Sequence, residues 1–81
     1  MIPTGRQLRE GRLLTGMSQI ALATAAGVRL ELITRVELTV GLPLVTRRDV
    51  RAIQMALEVA GVEFTFENGG GAGVRLRKAP P

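Results

Sequence analysis

The side chains with the clearest chemical capacity fall in one short run, Arg29-Leu30-Glu31-Leu32-Ile33-Thr34-Arg35. A guanidinium can pair bidentately with O6 and N7 of guanine, and a carboxylate can accept from the N4 amino group of cytosine. Arg29, Arg35 and Glu31 are therefore candidates to read base edges, Thr34 to reach a phosphate or a thymine methyl, and Leu30 to touch a thymine methyl. A solvated helix face carrying a few charges would look the same. A second cationic group, Arg47, Arg48 and Arg51, opens a helical stretch. Cations there oppose the helix macrodipole, which is easier to explain if a phosphate stands nearby. A solvated charge run is the plain alternative. Arg75, Arg77 and Lys78 form a third group, which could meet phosphate but is read first as solubilising charge along a strand edge.

Composition narrows the chemistry further. The chain has 81 residues, ten Arg and one Lys against seven acids, and a net charge of +4. That balance suits a polyanionic partner, although small domains are often basic without one. Cysteine and histidine are absent, which leaves no disulfides, no Cys/His zinc site and no histidine general base. No paired carboxylates stand at a useful spacing, and the glycines at 69–73 lack the Gly-Lys-Ser/Thr of a phosphate cradle. An enzyme, a metal and a cofactor are thus not expected. Only two aromatic residues are present, both Phe, so single-strand binding by base stacking is disfavoured. There is no apolar run long enough for a membrane span and no signal-peptide pattern, so a cytoplasmic protein, on the bacterial nucleoid when bound to DNA, is expected.

The elements that must position these residues can be read from caps and periodicity. One domain over 1–81 is expected, with a helical core over 5–61, a β-hairpin over 62–78 and a tail at 79–81. Thr4 caps a first helix over about 5–15, with Leu8, Gly11 or Arg12, and Leu14 or Thr15 on its inner face, and Gly16 at its end. Gly11 costs ~1 kcal/mol against Ala inside a helix, so it is read as a point of close contact with another helix. Ser18 caps a second helix over about 19–25, and Gly27 permits the positive φ at which it stops. Val28, Ile33 and Val36 make the buried stripe of a third, over about 29–37. The Gly/Pro-marked loop at 38–45 is unusually apolar. Thr46 with Asp49 starts a fourth helix over about 47–60, with Val50, Ile53, Leu57 and, at its end, Ala60 inward and Gly61 as its stop. The period then changes to two, and 62–67 and 73–78 are read as strands joined by Asn68-Gly69-Gly70-Gly71-Ala72. A lone hairpin is marginal in water, so it must pack on the helices or on a second subunit.

The run MSQIALATAAGVRLELITRVE, with RQLREGRLLTG before it, resembles a phage-repressor-type (Cro/repressor, XRE-like) helix-turn-helix domain over about residues 6–61, roughly 70% of the chain. The segment LEVAGVEFTFENGGGAGVRLRK is similar to the tails of many small bacterial regulators of that type. The resemblance implies a mainly α, four- to five-element bundle followed by the hairpin. It implies a homodimeric regulator of transcription that inserts the third helix into the major groove of palindromic double-stranded DNA, with the two reading helices ~34 Å apart. It further implies that Gln19 contacts the DNA backbone and braces the reading helix, that the start of the fourth helix meets phosphate, and that Arg12 and Glu37 form a largely buried structural ion pair. Leu30 and Leu32 depart from the small or polar residues usual there. Leu38, Val40, Leu42 and Leu44 stand where relatives carry basic residues. Those leucines keep a second expectation open, that of a protein-interaction module on the same fold: an antiactivator, an antitoxin or an adaptor.

Overall fold

A computed structural model describes residues 2–66 and 73–77. Four helices, α1 (Gly5–Thr15), α2 (Gln19–Ala26), α3 (Leu30–Glu37) and α4 (Arg47–Val59), precede two strands, β1 (Val62–Thr65) and β2 (Gly73–Leu76). The mainly helical class with a C-terminal antiparallel hairpin is therefore as expected. Glu67, the Asn68–Ala72 connector, Lys78 and the 79–81 tail lie outside the described residues.

Each helix begins and ends for a local reason. Thr4, Ser18 and Thr46 accept from the backbone N–H of Gln7, Ala21 and Asp49 respectively, each satisfying a donor that the first turn would otherwise leave unpaired. The α2–α3 turn is a Schellman arrangement: Gly27, at φ 70°, donates to Thr24 O, and Val28 donates to Ala23 O. Arg29, expected inside the third helix, is its N-cap and makes no side-chain capping bond. Similarly, α4 stops at Val59, so Ala60, expected on its inner stripe, is instead its exposed C-cap, and β1 stops at Thr65.

One contiguous core joins all the helices and the hairpin. Leu8, Leu22, Ala23, Ile33, Val36, Val50, Ile53, Leu57 and Val62 are buried together. Gly11 lets α1 approach closely: a Cβ there would stand 3.2 Å from Val62 Cγ1 and 3.4 Å from Leu57 Cδ1. Leu14, placed on the inner face of α1 by its spacing, is instead exposed, because the inward stripe of α1 runs through Gln7, Leu8 and Gly11. Leu32 corrects the sequence reading in the opposite direction. It is half-buried and packs on the core, since it follows the Val36 side of α3 rather than the solvent side. Strand register pairs Val62 with Leu76 and Phe64 with Val74, so these four share one face, while Glu63 and Arg75 form an exposed ion pair on the other.

Gln7 ties the hairpin to the helices. Its Oε1 accepts from Thr4 N at 2.9 Å, completing a capping box, and its Nε2 donates to Thr65 O at 3.1 Å and to Gly73 O at 3.0 Å. The side chain is 2% exposed. Replacing it with leucine removes all three bonds, and a buried group left unpaired costs about 1–3 kcal/mol. Gln7→Leu is expected to lower the urea midpoint and to speed hydrogen exchange at the Val62–Thr65 amides well before the α2–α3 amides are affected. Equal acceleration in both regions would contradict this role for Gln7.

Candidate nucleic-acid interface

The α2–turn–α3 unit fixes one short helix with a polar face outward. α3 buries Ile33 and Val36 and leans on the core through Leu32. The opposite face carries Glu31, Thr34 and Arg35, all exposed, with Arg29 at the helix entrance and Leu30 at the edge, 37% exposed. An α-helix with its side chains is ≈ 10–12 Å across, and the major groove of B-DNA is ≈ 12 Å wide.

Within that face the side-chain states differ. Thr34 Oγ1 donates to Leu30 O at 3.2 Å, so its hydroxyl is turned back to the helix and its methyl is the freer group. Glu31 stands four residues before Arg35, an order that favours an ion pair along a helix. Among the described residues, however, neither group has an ion-pair partner. Both are free to meet groups outside the chain. Gly27, Val28, Arg29, Glu31, Leu32, Arg35 and Asp49 line a groove of ≈ 460 Å³. Its two arginines are balanced by two carboxylates, one of them Asp49 from the first turn of α4. The sequence assigned Asp49 only to a helix cap.

The C-terminal end of α3 is held by a charged network. Arg12 grips Glu37 with two bonds, Nε to Oε2 at 2.6 Å and Nη2 to Oε1 at 2.9 Å, and its Nη1 donates to Met17 O at 2.9 Å. The Arg12 and Glu37 side chains are 12% and 5% exposed. The hydrogen bonding of Arg12 to Glu37 raises the Arg12 pKa above its ordinary value, burial opposes this, and the charge of Glu37 adds to the rise. Gln19 Nε2 donates to Glu37 Oε1 at 3.1 Å, which fastens the start of α2 to the end of α3. Its amide thus points to Glu37 and leaves its second N–H and its carbonyl oxygen for an outside partner.

The other sequence candidates are divided between faces. Arg29 and Arg35 share the α3 groove. Arg47 lines a separate cleft with Ile2, Pro3, Val50, Arg51 and Gln54. Arg48 is exposed on the side of α4 opposite its buried stripe. Arg75 is engaged with Glu63, and Arg77 Nη2 donates to Glu58 O. Leu38 was assigned to the apolar loop, yet it caps α3 one heptad beyond Glu31 and is 81% exposed, so it extends the outward face. The seven-residue spacing from Glu31 was the available signal. Val40, Leu42 and Leu44 are also exposed, so the loop strip is not core cover.

No protein-family model matches the chain, and no curated protein matches its sequence. No helix among the described residues is long and apolar enough to cross a membrane.

Proposed function

We propose that this chain is a sequence-specific binder of double-stranded DNA, a transcriptional regulator that acts as a homodimer and lays α3 in the major groove. The observation that carries this reading is the face of α3. Arg29, Glu31 and Arg35 project from a helix braced at its far end by Arg12, Gln19 and Glu37, with no ion-pair partner for Glu31 or Arg35 among the described residues. Unpaired donors and acceptors on a rigid narrow helix are what base-edge readout requires. Arg35 supplies a bidentate contact to guanine, and Glu31 accepts from cytosine. The Thr34 methyl faces a thymine methyl. The α3 groove itself carries no net charge, and phosphate affinity is assigned to Arg47 and Arg48, which lie outside that groove. The resemblance to repressor-type domains supports the same assignment.

A protein partner is the second reading. Leu38, Val40, Leu42 and Leu44 are 81%, 72%, 62% and 90% exposed, and exposed apolar patches often mark protein contacts.

A salt-titrated gel shift on DNA flanking the chain's own gene separates the two. Wild type is expected to give a discrete, competitor-resistant shift whose affinity falls steeply with salt. Arg35→Ala, shown to be folded by circular dichroism, is expected to lose about 5- to 150-fold in specific affinity per half-site, the worth of one bidentate base contact at about 1–3 kcal/mol, and both halves of the dimer lose it together. A salt-sensitive smear indifferent to Arg35 would remove the DNA reading and favour the leucine surface.

A further inference from the structure

The outer face of α4 has a repeat that its packing within the chain does not use. Val50, Ile53 and Leu57 point into the core. On the opposite side Arg48, Ala52, Met55 and Val59 recur at spacings of four, three and four residues, the seam spacing of a two-helix coiled coil. Met55 is 52% exposed and Val59 86%. Ala52, one turn before Met55, is half-buried, and an apolar stripe of this kind is a candidate for contact with something outside the chain.

The flanking charges say what. Arg51 and Glu58 lie seven residues apart and so fall on the same flank of that seam. Neither has an ion-pair partner among the described residues, although Glu58 Oε2 accepts from Gln54 Nε2 at 3.3 Å and has its other oxygen for a cation. When two copies of a helix pair antiparallel, residues on the same flank face each other across the seam. Arg51 then meets Glu58 of the partner subunit, and the two-fold axis repeats the pair. The central layers become Ala52 against the partner's Met55, twice, a small residue opposite a large flexible one. At the ends, the aliphatic stem of Arg48 lies over the partner's Val59 with its guanidinium free at the rim. A parallel pair would instead stack Arg48 on Arg48 and leave Arg51 opposite Ala56. Charge complementarity therefore selects one occupant and one orientation.

We infer that the exposed face of α4 is a self-association surface, on which a second copy of this chain packs antiparallel through Ala52, Met55 and Val59, with Arg51 and Glu58 paired reciprocally across the two-fold axis. This deepens the proposed reading by naming the surface of the homodimer, and rests on that reading only for its consequence at DNA. Four seam positions per chain make a small contact, below the ≈ 1,000 Å² of most stable interfaces, so a weak association is expected, one that assists a partner already held on DNA.

The test is sedimentation equilibrium of the full chain without DNA, up to about 100 µM, roughly a hundredfold above a micromolar dissociation constant. Wild type is expected to move from the 8.7 kDa monomer toward a dimer. Met55→Arg, Arg51→Glu and Glu58→Arg, each checked for helicity by circular dichroism, are expected to weaken dimerisation about tenfold or more, a difference of 1.4 kcal/mol. The double exchange Arg51→Glu with Glu58→Arg is expected to restore it, because the pairs re-form with signs swapped. A wild type that stays monomeric would overturn the inference. So would a dimer indifferent to Met55, or charge reversals that the double exchange does not rescue. Because no DNA is present, these failures are separate from a failure of the DNA reading.

Discussion

Glu37→Ala is expected to unfold the domain or bring it close to unfolding, with loss of DNA binding only as a consequence. Glu37 accepts from Arg12 Nε, Arg12 Nη2 and Gln19 Nε2. Both members of the ion pair are nearly buried. Removing the carboxylate strands a guanidinium that burial disfavours, and breaking such a pair costs about 3–5 kcal/mol. A domain of this size has only about 4–12 kcal/mol in total, at roughly 0.05–0.15 kcal/mol per residue. Urea denaturation checks this: the midpoint should fall sharply with an unchanged slope. A control separates loss of the pair from loss of the site. Arg12→Met combined with Glu37→Leu leaves no buried charge and is expected to recover much of the lost stability. A Glu37→Ala protein of wild-type stability that no longer shifts DNA would contradict the structural role.

Gly5→Ala is expected to be comparably damaging, for a steric reason. A Cβ on Gly5 would collide with the backbone carbonyl oxygens of Val36 and Thr39. These are main-chain atoms at the end of α3 and cannot swing aside as a side chain would. Gly5 N also donates to Gly41 O at 2.8 Å, which fastens the same loop to the start of α1. Overpacking generally costs about 1–3 kcal/mol and occasionally more; a clash of backbone on backbone belongs at the upper end. Thermal unfolding by circular dichroism should show a melting temperature lower by about 10 °C or more, since 1 kcal/mol corresponds to roughly 4–8 °C in a domain of 60–100 residues. A melting temperature within a few degrees of wild type would mean that the α1–loop contact yields easily. Gly16→Ala serves as a comparison, because no neighbour lies within 4 Å there and only its left-handed backbone is strained.

The helices were legible because their signals are local. Thr4, Ser18 and Thr46 cap, Gly16 and Gly27 stop, and the stripes Ile33–Val36 and Val50–Ile53–Leu57 repeat with helical period. The hairpin was legible from the alternation of Val62, Phe64 and Leu76 with Glu63 and Arg75. What stayed hidden depends on contacts far apart in sequence. Gln7 looks like a surface polar residue, and only the arrival of Thr65 and Gly73, more than fifty positions away, explains its burial. Gly5 reads as an unremarkable helix start until the end of α3 comes to rest against it. Leu32 differs from Leu30 by a rotation of two residues on α3, enough to carry it from the edge of the outer face into contact with the core. Within the candidate site, the approach of Glu31 and Arg35 follows from their four-residue spacing. The entry of Arg29, the extended N-cap of α3, and of Asp49 into the same groove does not, because the first depends on the turn before α3 and the second on how α4 docks.

Binding-site selection from a randomised duplex library, run with wild type beside folded Arg35→Ala, tests the central claim most directly. Wild type is expected to enrich an inverted repeat with half-site centres about 10–10.5 base pairs apart, or a multiple of that, and with a fixed G·C pair in each half. Arg35→Ala is expected to relax the preference at that pair while keeping the spacing. A wild-type pool that stays random after repeated rounds, or one whose consensus is unchanged by Arg35→Ala, would contradict sequence reading by α3.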